Sequence, residues 1–168
     1  LCNYDELSEA VDLVRRYGRT AFFMLLSGGD IFSQKMIAFS FTAGSQSFFV
    51  RTGDGFEEKQ VLKILEPVFA DGNISKFTHN LKPVLVYLLR NGIEADGFEF
   101  DTLIGAYILD PSRENYYLDE LAREYLNKTI TGVEELTGKG KSAKSADELT
   151  TSQICGLMGC YTVIISEL

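Results

Sequence analysis

The chain has one histidine, His79, set in Phe77-Thr78-His79-Asn80-Leu81-Lys82-Pro83-Val84. An imidazole can act as a general base near neutral pH, but nucleophilic catalysis needs a Ser or Cys in hydrogen-bonding reach of it. The sequence places none there, so His79 reads as structural, beside the end of a strand. Gly138-Lys139-Gly140-Lys141 could touch phosphate through its amides and ammonium groups. It lacks the strand–loop–helix setting and the Lys-Ser/Thr ending of a P-loop, and so reads as a solvated basic loop. Among the acids, Asp101 stands where it would cap a helix, and Asp110 and Glu114 near Pro111 are ordinary loop charges. Thr20 to Gly29 holds no Asp or Glu at all. Cys155 and Cys160 lie on a mostly apolar helical pattern and read as small core residues.

These residues hang on a legible run of elements. Asn3 with Glu6 forms a capping box, Leu7, Ala10, Val11 and Val14 recur at helical spacing, and Gly18 ends that helix. Thr20 to Leu26 is a continuous apolar run, the pattern of a central strand buried on both faces. Gly28-Gly29-Asp30 supplies a turn; Met36 to Phe41 and Gln46 to Arg51 follow as strands joined by Ala43-Gly44-Ser45. The pattern then predicts a helix from Phe56 to Phe69, a strand from Ile74 to Phe77 and a helix from Pro83 to Arg90. Two more helices follow, Thr102 to Leu109 and one built on Leu118, Leu121, Ala122, Tyr125 and Leu126. Residues 127–146 read as a basic, flexible loop, after which Ser145-Ala146-Asp147-Glu148 caps a last apolar helix. Three strands, a helix, a strand and more helices describe a mixed α/β sheet covered on both faces.

Composition narrows the function classes. At 168 residues, 45% apolar and 24% charged, the chain is one globular domain with no internal repeat. A net charge of −8 repels phosphate backbones and argues against free-standing, tight nucleic-acid binding. Cys2, Cys155 and Cys160 form no Cys-x-x-Cys pair, which fits reduced thiols in the cytoplasm. No apolar run reaches the roughly 20 residues of a membrane span. The chain starts at Leu1 without a Met and stops while a helical pattern is running, so it reads as a domain cut from a longer protein.

Four segments in order resemble the 3′–5′ exonuclease domain of bacterial family A DNA polymerases of the DNA polymerase I type. They are Asn80-Leu81-Lys82 with Gly92-Ile93-Glu94, Phe100-Asp101-Thr102-Leu103 with Ala106-Tyr107-Ile108-Leu109, Leu118-Asp119-Glu120-Leu121-Ala122, and Gly138-Lys139-Gly140-Lys141. The resemblance covers nearly the whole chain. It implies a ribonuclease H-like exonuclease fold, α/β, with a five-stranded mixed sheet flanked by helices. Proofreading in that family is two-metal phosphodiester hydrolysis, with ions about 3.5–4 Å apart held by clustered carboxylates. The family's Asp-x-Glu on the first strand falls near Phe23 and Leu25, or Met24 and Leu26 if the turn differs by one residue. The Asp of Asn-Leu-Lys-x-Asp is Val84, and the Asp of the last-helix motif falls near Gly159 or Cys160.

Four missing acids imply a cleft filled as core by Phe23, Leu25 and Val84, with no catalytic residue, metal or cofactor in this domain. The resemblance therefore implies an inactive scaffold packed against the polymerase domain of the same chain. DNA would be reached through that parent enzyme, which would use magnesium. The isolated domain is expected to be a monomer. Two rivals stand beside this. One is an active exonuclease with displaced ligands drawn from Asp30, Asp96, Asp101 or Asp110. The other is a binding module whose emptied cleft holds a nucleotide or protein segment.

Overall fold

Five strands, Arg19–Leu26 (β1), Met36–Ala43 (β2), Gln46–Arg51 (β3), Ser75–Thr78 (β4) and Phe98–Asp101 (β5), form one sheet in the order β3-β2-β1-β4-β5. The computed structural model describes residues 1–27, 29–53, 55–138 and 145–168. β1, β2 and β3 make an antiparallel meander, while β4 runs parallel to β1 and β5 parallel to β4. The helices are Tyr4–Tyr17 (α1), Glu58–Phe69 (α2), Leu81–Arg90 (α3), Thr102–Leu109 (α4), Leu118–Leu126 (α5), Val133–Thr137 (α6) and Thr151–Glu167 (α7).

β1 is central because its side chains serve two cores, as the period-two alternation of a strand requires. Phe22 and Met24 join residues of α1, α2 and α3 on one face, including Leu7, Val14, Leu65, Phe69 and Leu88. Ala21 and Leu25 face the other way, toward α5 and α7, where Ala122, Ile154, Met158 and Ile164 are buried. Inside that second layer the Thr162 hydroxyl donates to the Met158 carbonyl at 2.7 Å, and the Ser40 hydroxyl donates to the Thr162 oxygen while lying 3.1 Å from the same carbonyl. Two buried hydroxyls with partners fix the register of α7 on the sheet at little cost.

The helix starts show which local signals win. Asn3 caps α1 by accepting from the Glu6 amide at 2.9 Å, and Gly18 closes it at φ 66°. α2 begins at Glu58 and not at Phe56, because Phe56 is buried against the Tyr4 ring, 5.0 Å away and edge-on. α3 begins at Leu81, two residues before Pro83. The fifth strand, β5, is short and half exposed, which hid it from the periodicity. Residues 127–146 are not all loop, since α6 lies within them. The Ser145–Glu148 capping box closes a separate 3₁₀ turn, and α7 has its own box of Thr150 with Gln153. Cys155 and Cys160 are exposed free thiols, not core, because the buried stripe of α7 runs through Ile154, Leu157, Met158, Tyr161 and Ile165. Residues 139–141 of the Gly-Lys-Gly-Lys segment, and Gly28 of the first turn, lie outside the described residues.

Candidate functional site

A cleft of about 570 Å³ opens at the C-terminal end of β1. Its floor is Phe23, Met24, Leu25 and Leu26 with Pro83 and Val84 of α3; its far wall is Asp119 and Glu120 of α5 with Val133, Glu134 and Glu135 of α6. The structure thus brings Phe23, Leu25 and Val84 together, as their placement in the sequence predicts. Gly159 and Cys160 do not line the cleft; α7 contributes Tyr161, whose ring meets Phe23 edge-on at 5.0 Å. Nor is the cleft filled as core. Val84 and Leu25 are buried beneath it, but about 570 Å³ stays open and the lining includes four carboxylates, which cannot be packed against apolar side chains without shedding their water.

Each wall is positioned by backbone chemistry. The Asp101 carboxylate accepts from the amides of Asn80 (2.9 Å), Leu81 (2.7 Å) and Leu103 (2.9 Å), so one side chain caps α4 and seats the first turn of α3. Asn80 takes φ 61°, a left-handed turn that an Asn tolerates and that aims α3 into the cleft. Gly132 lets α6 approach α5: a Cβ there would lie 3.2 Å from the Asp119 carboxyl carbon. The Val133 amide donates to the Tyr161 hydroxyl at 3.1 Å, tying α6 to α7.

The electrostatics run one way. Among the described residues, the charged side chains lining the cleft are Asp119, Glu120, Glu134 and Glu135, all acidic. Burial drives the His79 imidazole down to about 4, only partly opposed by Asp101 and Asp119, so it is neutral at pH 7. His79 Nδ1 lies 2.8 Å from the Thr102 hydroxyl, the structural role its isolation suggested. Burial also pushes the Tyr161 phenol up to about 12, with Asp119 and Glu135 adding to the effect. Gln34 Oε1 and Asn115 Oδ1, both on the lining, have no hydrogen-bond partner among the described residues.

The acids weighed as displaced ligands are elsewhere. Asp30 accepts from the Phe32 amide, Asp96 from Gly97, Asp110 from Ser112, and Asp101 from the three amides above. None lines the cleft. The wall carboxylates went unremarked in the sequence as a site. Their signal was present: paired acids in the first turns of α5 and α6, at Asp119-Glu120 and Glu134-Glu135, where helix dipoles favour them. Among the described residues, no three His, Cys, Asp or Glu side chains converge well enough to share an ion.

Sheet order and cleft position define a ribonuclease H-like exonuclease fold. Solved structures share it: Escherichia coli RNase D aligns over 99% of this chain and 42% of its own at a TM-score of 0.74 and 16% identity. The POL domain of Pol1 from M. smegmatis, solved with DNA primer-template and dNTP, aligns over 95% of this chain and 24% of its own at 0.70 and 16%. The family model for the DNA polymerase I ribonuclease H-like domain matches residues 24–155, and the chain belongs to that family. DNA polymerase I of Bacillus subtilis is 25% identical over 82% of this chain, and that of Chloroflexus aurantiacus 31% identical over 64%. The chain spans only 15% and 12% of those two relatives' lengths.

Proposed function

We propose that this is a catalytically inactive 3′–5′ exonuclease-like domain, serving as a structural scaffold for a DNA polymerase I-type enzyme in replication and repair. The observation that carries the reading is the cleft floor. Phe23, Leu25 and Val84 stand together where the family resemblance puts metal ligands, and apolar side chains cannot hold hard cations, which need oxygen donors. A cleft whose lining charges among the described residues are acidic also offers a DNA strand repulsion in place of a clamp. In this reading the domain has no metal or cofactor of its own, and the parent polymerase supplies magnesium and DNA contacts. The domain is monomeric when isolated and works in the cytoplasm. No helix among the described residues is long and apolar enough to cross a membrane.

The test is release of nucleotides from single-stranded DNA by the purified domain with magnesium or manganese. No release above a metal-free control is expected. Metal-dependent release would establish the competing reading, an active exonuclease with relocated carboxylates, and Asp119→Asn with Glu135→Gln would then show whether the far wall supplies them.

A further inference from the structure

α4 breaks the rule that the rest of the chain obeys. Of its eight residues only Thr102 and Ala106 are buried, while Ile104, Tyr107, Ile108 and Leu109 are exposed, the last two at 72% each. A helix apolar on every side belongs in an interior, and a contiguous exposed apolar patch marks an interface. The face extends to exposed Phe100 on β5 and Tyr125 on α5. It is also shaped. A hollow of about 270 Å³ lies between α4 and α5, lined by Phe100, Gly105, Leu109, Leu121, Tyr125 and Leu168. Gly105 lets the Phe100 ring lie against α4, since a Cβ there would fall 2.4 Å from the tip of that ring and push it aside. Two charges at its edge are paired: Lys128 donates to Glu167 at 2.6 Å and Arg113 to Glu124 at 2.6 Å.

We propose that the α4 face and its hollow are the surface on which the polymerase domain of the same chain docks. This rests on the scaffold reading above. The occupant follows from proportion: the chain spans 15% and 12% of the DNA polymerase I relatives from B. subtilis and C. aurantiacus, and 24% of the M. smegmatis Pol1 chain. A tethered domain meets this patch at high effective concentration, so it can cover the face without a large intrinsic affinity. The cleft is the poorer candidate, because a docking core disfavours charged side chains and the cleft lining carries four carboxylates.

Hydroxyl-radical footprinting of the full-length chain tests this, with Leu89 on α3, exposed and outside the patch, as internal reference. Ile108 and Leu109 are expected to label several-fold less than Leu89 despite their similar exposure in this domain. Replacing Ile104 and Ile108 with Glu (I104E/I108E) should restore labelling of Tyr107 and Leu109. Equal labelling of Leu109 and Leu89 in the unmodified chain would overturn the assignment of the surface while leaving the scaffold reading standing. Protection that disappears on dilution would point to a second copy and would also overturn it. A full-length chain that cannot extend a primer would instead overturn the scaffold reading, whatever the labelling shows.

Discussion

The cleft floor and the α4 face are both apolar, and they mean opposite things. In the cleft, Val84 and Leu25 stand where the family resemblance puts metal-binding carboxylates, and they are 3% and 8% exposed. The fold has absorbed them: Val84 packs with the α1–α2–α3 core and Leu25 with the α7 layer. On α4 the same kind of side chain is left exposed by the described residues, Ile108 and Leu109 at 72% each. Apolar residues that the domain buries serve its own core, and in the reading proposed above they stand in place of a metal site. Apolar residues that it leaves in water are the ones a docking contact of the kind proposed above would cover. Burial separates the two, and composition does not.

The largest effect should come from reversing the cleft substitution. Val84→Asp would place a carboxylate in a buried site without donors or an ion, costing about 3 kcal/mol of stability at neutral pH. Such an acid would titrate high, so the loss should shrink as pH falls and the group is protonated. Urea unfolding at two pH values measures both. With Phe23 and Leu25 still apolar beside it, the new carboxylate restores no two-metal site, so the proposed lack of nuclease activity should persist in the variant. A variant as stable as the parent would mean that the floor is wet and polar after all, and the contrast with α4 would fail.

Asp101 links the two regions, since it holds the start of α3 beneath the cleft and the start of α4 beneath the exposed face. Asp101→Ala should leave three amides short of an acceptor and cost about 2–3 kcal/mol, with amide exchange rising at both helix starts together. Exchange confined to α4 would show that the aspartate is only the helix cap that the sequence suggested.

How the residues were spaced decided what could be read in advance. The central strand, the meander, the Asn3 and Asp101 caps and the meeting of Phe23, Leu25 and Val84 were legible, because each follows from a local period or from an ordered set of motifs. β5 was not: four residues at a sheet edge carry too little alternation. Cys160 was misplaced because an apolar helix hides which stripe faces the sheet until packing selects it. The open cleft could not be read either. Whether a lost acid is replaced by filling or by a gap depends on the wall opposite, and Asp119 and Glu135 come from segments far along the chain. The exposure of α4 was hidden for the same reason: an apolar helix in sequence looks like core.

His79 gives a smaller, pH-dependent effect confined to the cleft. Its folded value is depressed to about 4 from an ordinary 6.5. Between those values the unfolded chain binds a proton that the folded one refuses, so this contribution to stability is complete above pH 6.5 and declines as pH falls toward 4. The loss by the lower end should be of order 2 kcal/mol. Unfolding midpoints of the parent and His79→Gln across pH 4–7.5 isolate it from the carboxylates, which both proteins share. Parallel curves would mean that the ring is solvated and the cleft wetter than its burial indicates.

The smallest effect is the most telling for the contrast. Ile108→Ser removes an apolar side chain of nearly the same class as Val84, from a position 72% exposed. In this 168-residue domain the change should shift stability by no more than about 0.5 kcal/mol, because little apolar surface returns to water. The result is read by thermal unfolding of the domain alone. In a chain where the α4 face is covered, the same substitution removes buried area and its cost should rise toward that of a core truncation, about 2 kcal/mol or more. One residue would then be silent in the domain and costly in the whole, which Val84 and Leu25 of the cleft floor cannot be, since the domain itself already buries them. A loss above about 1 kcal/mol already in the isolated domain would show that α4 is packed from within, and the two apolar regions would be one kind of core.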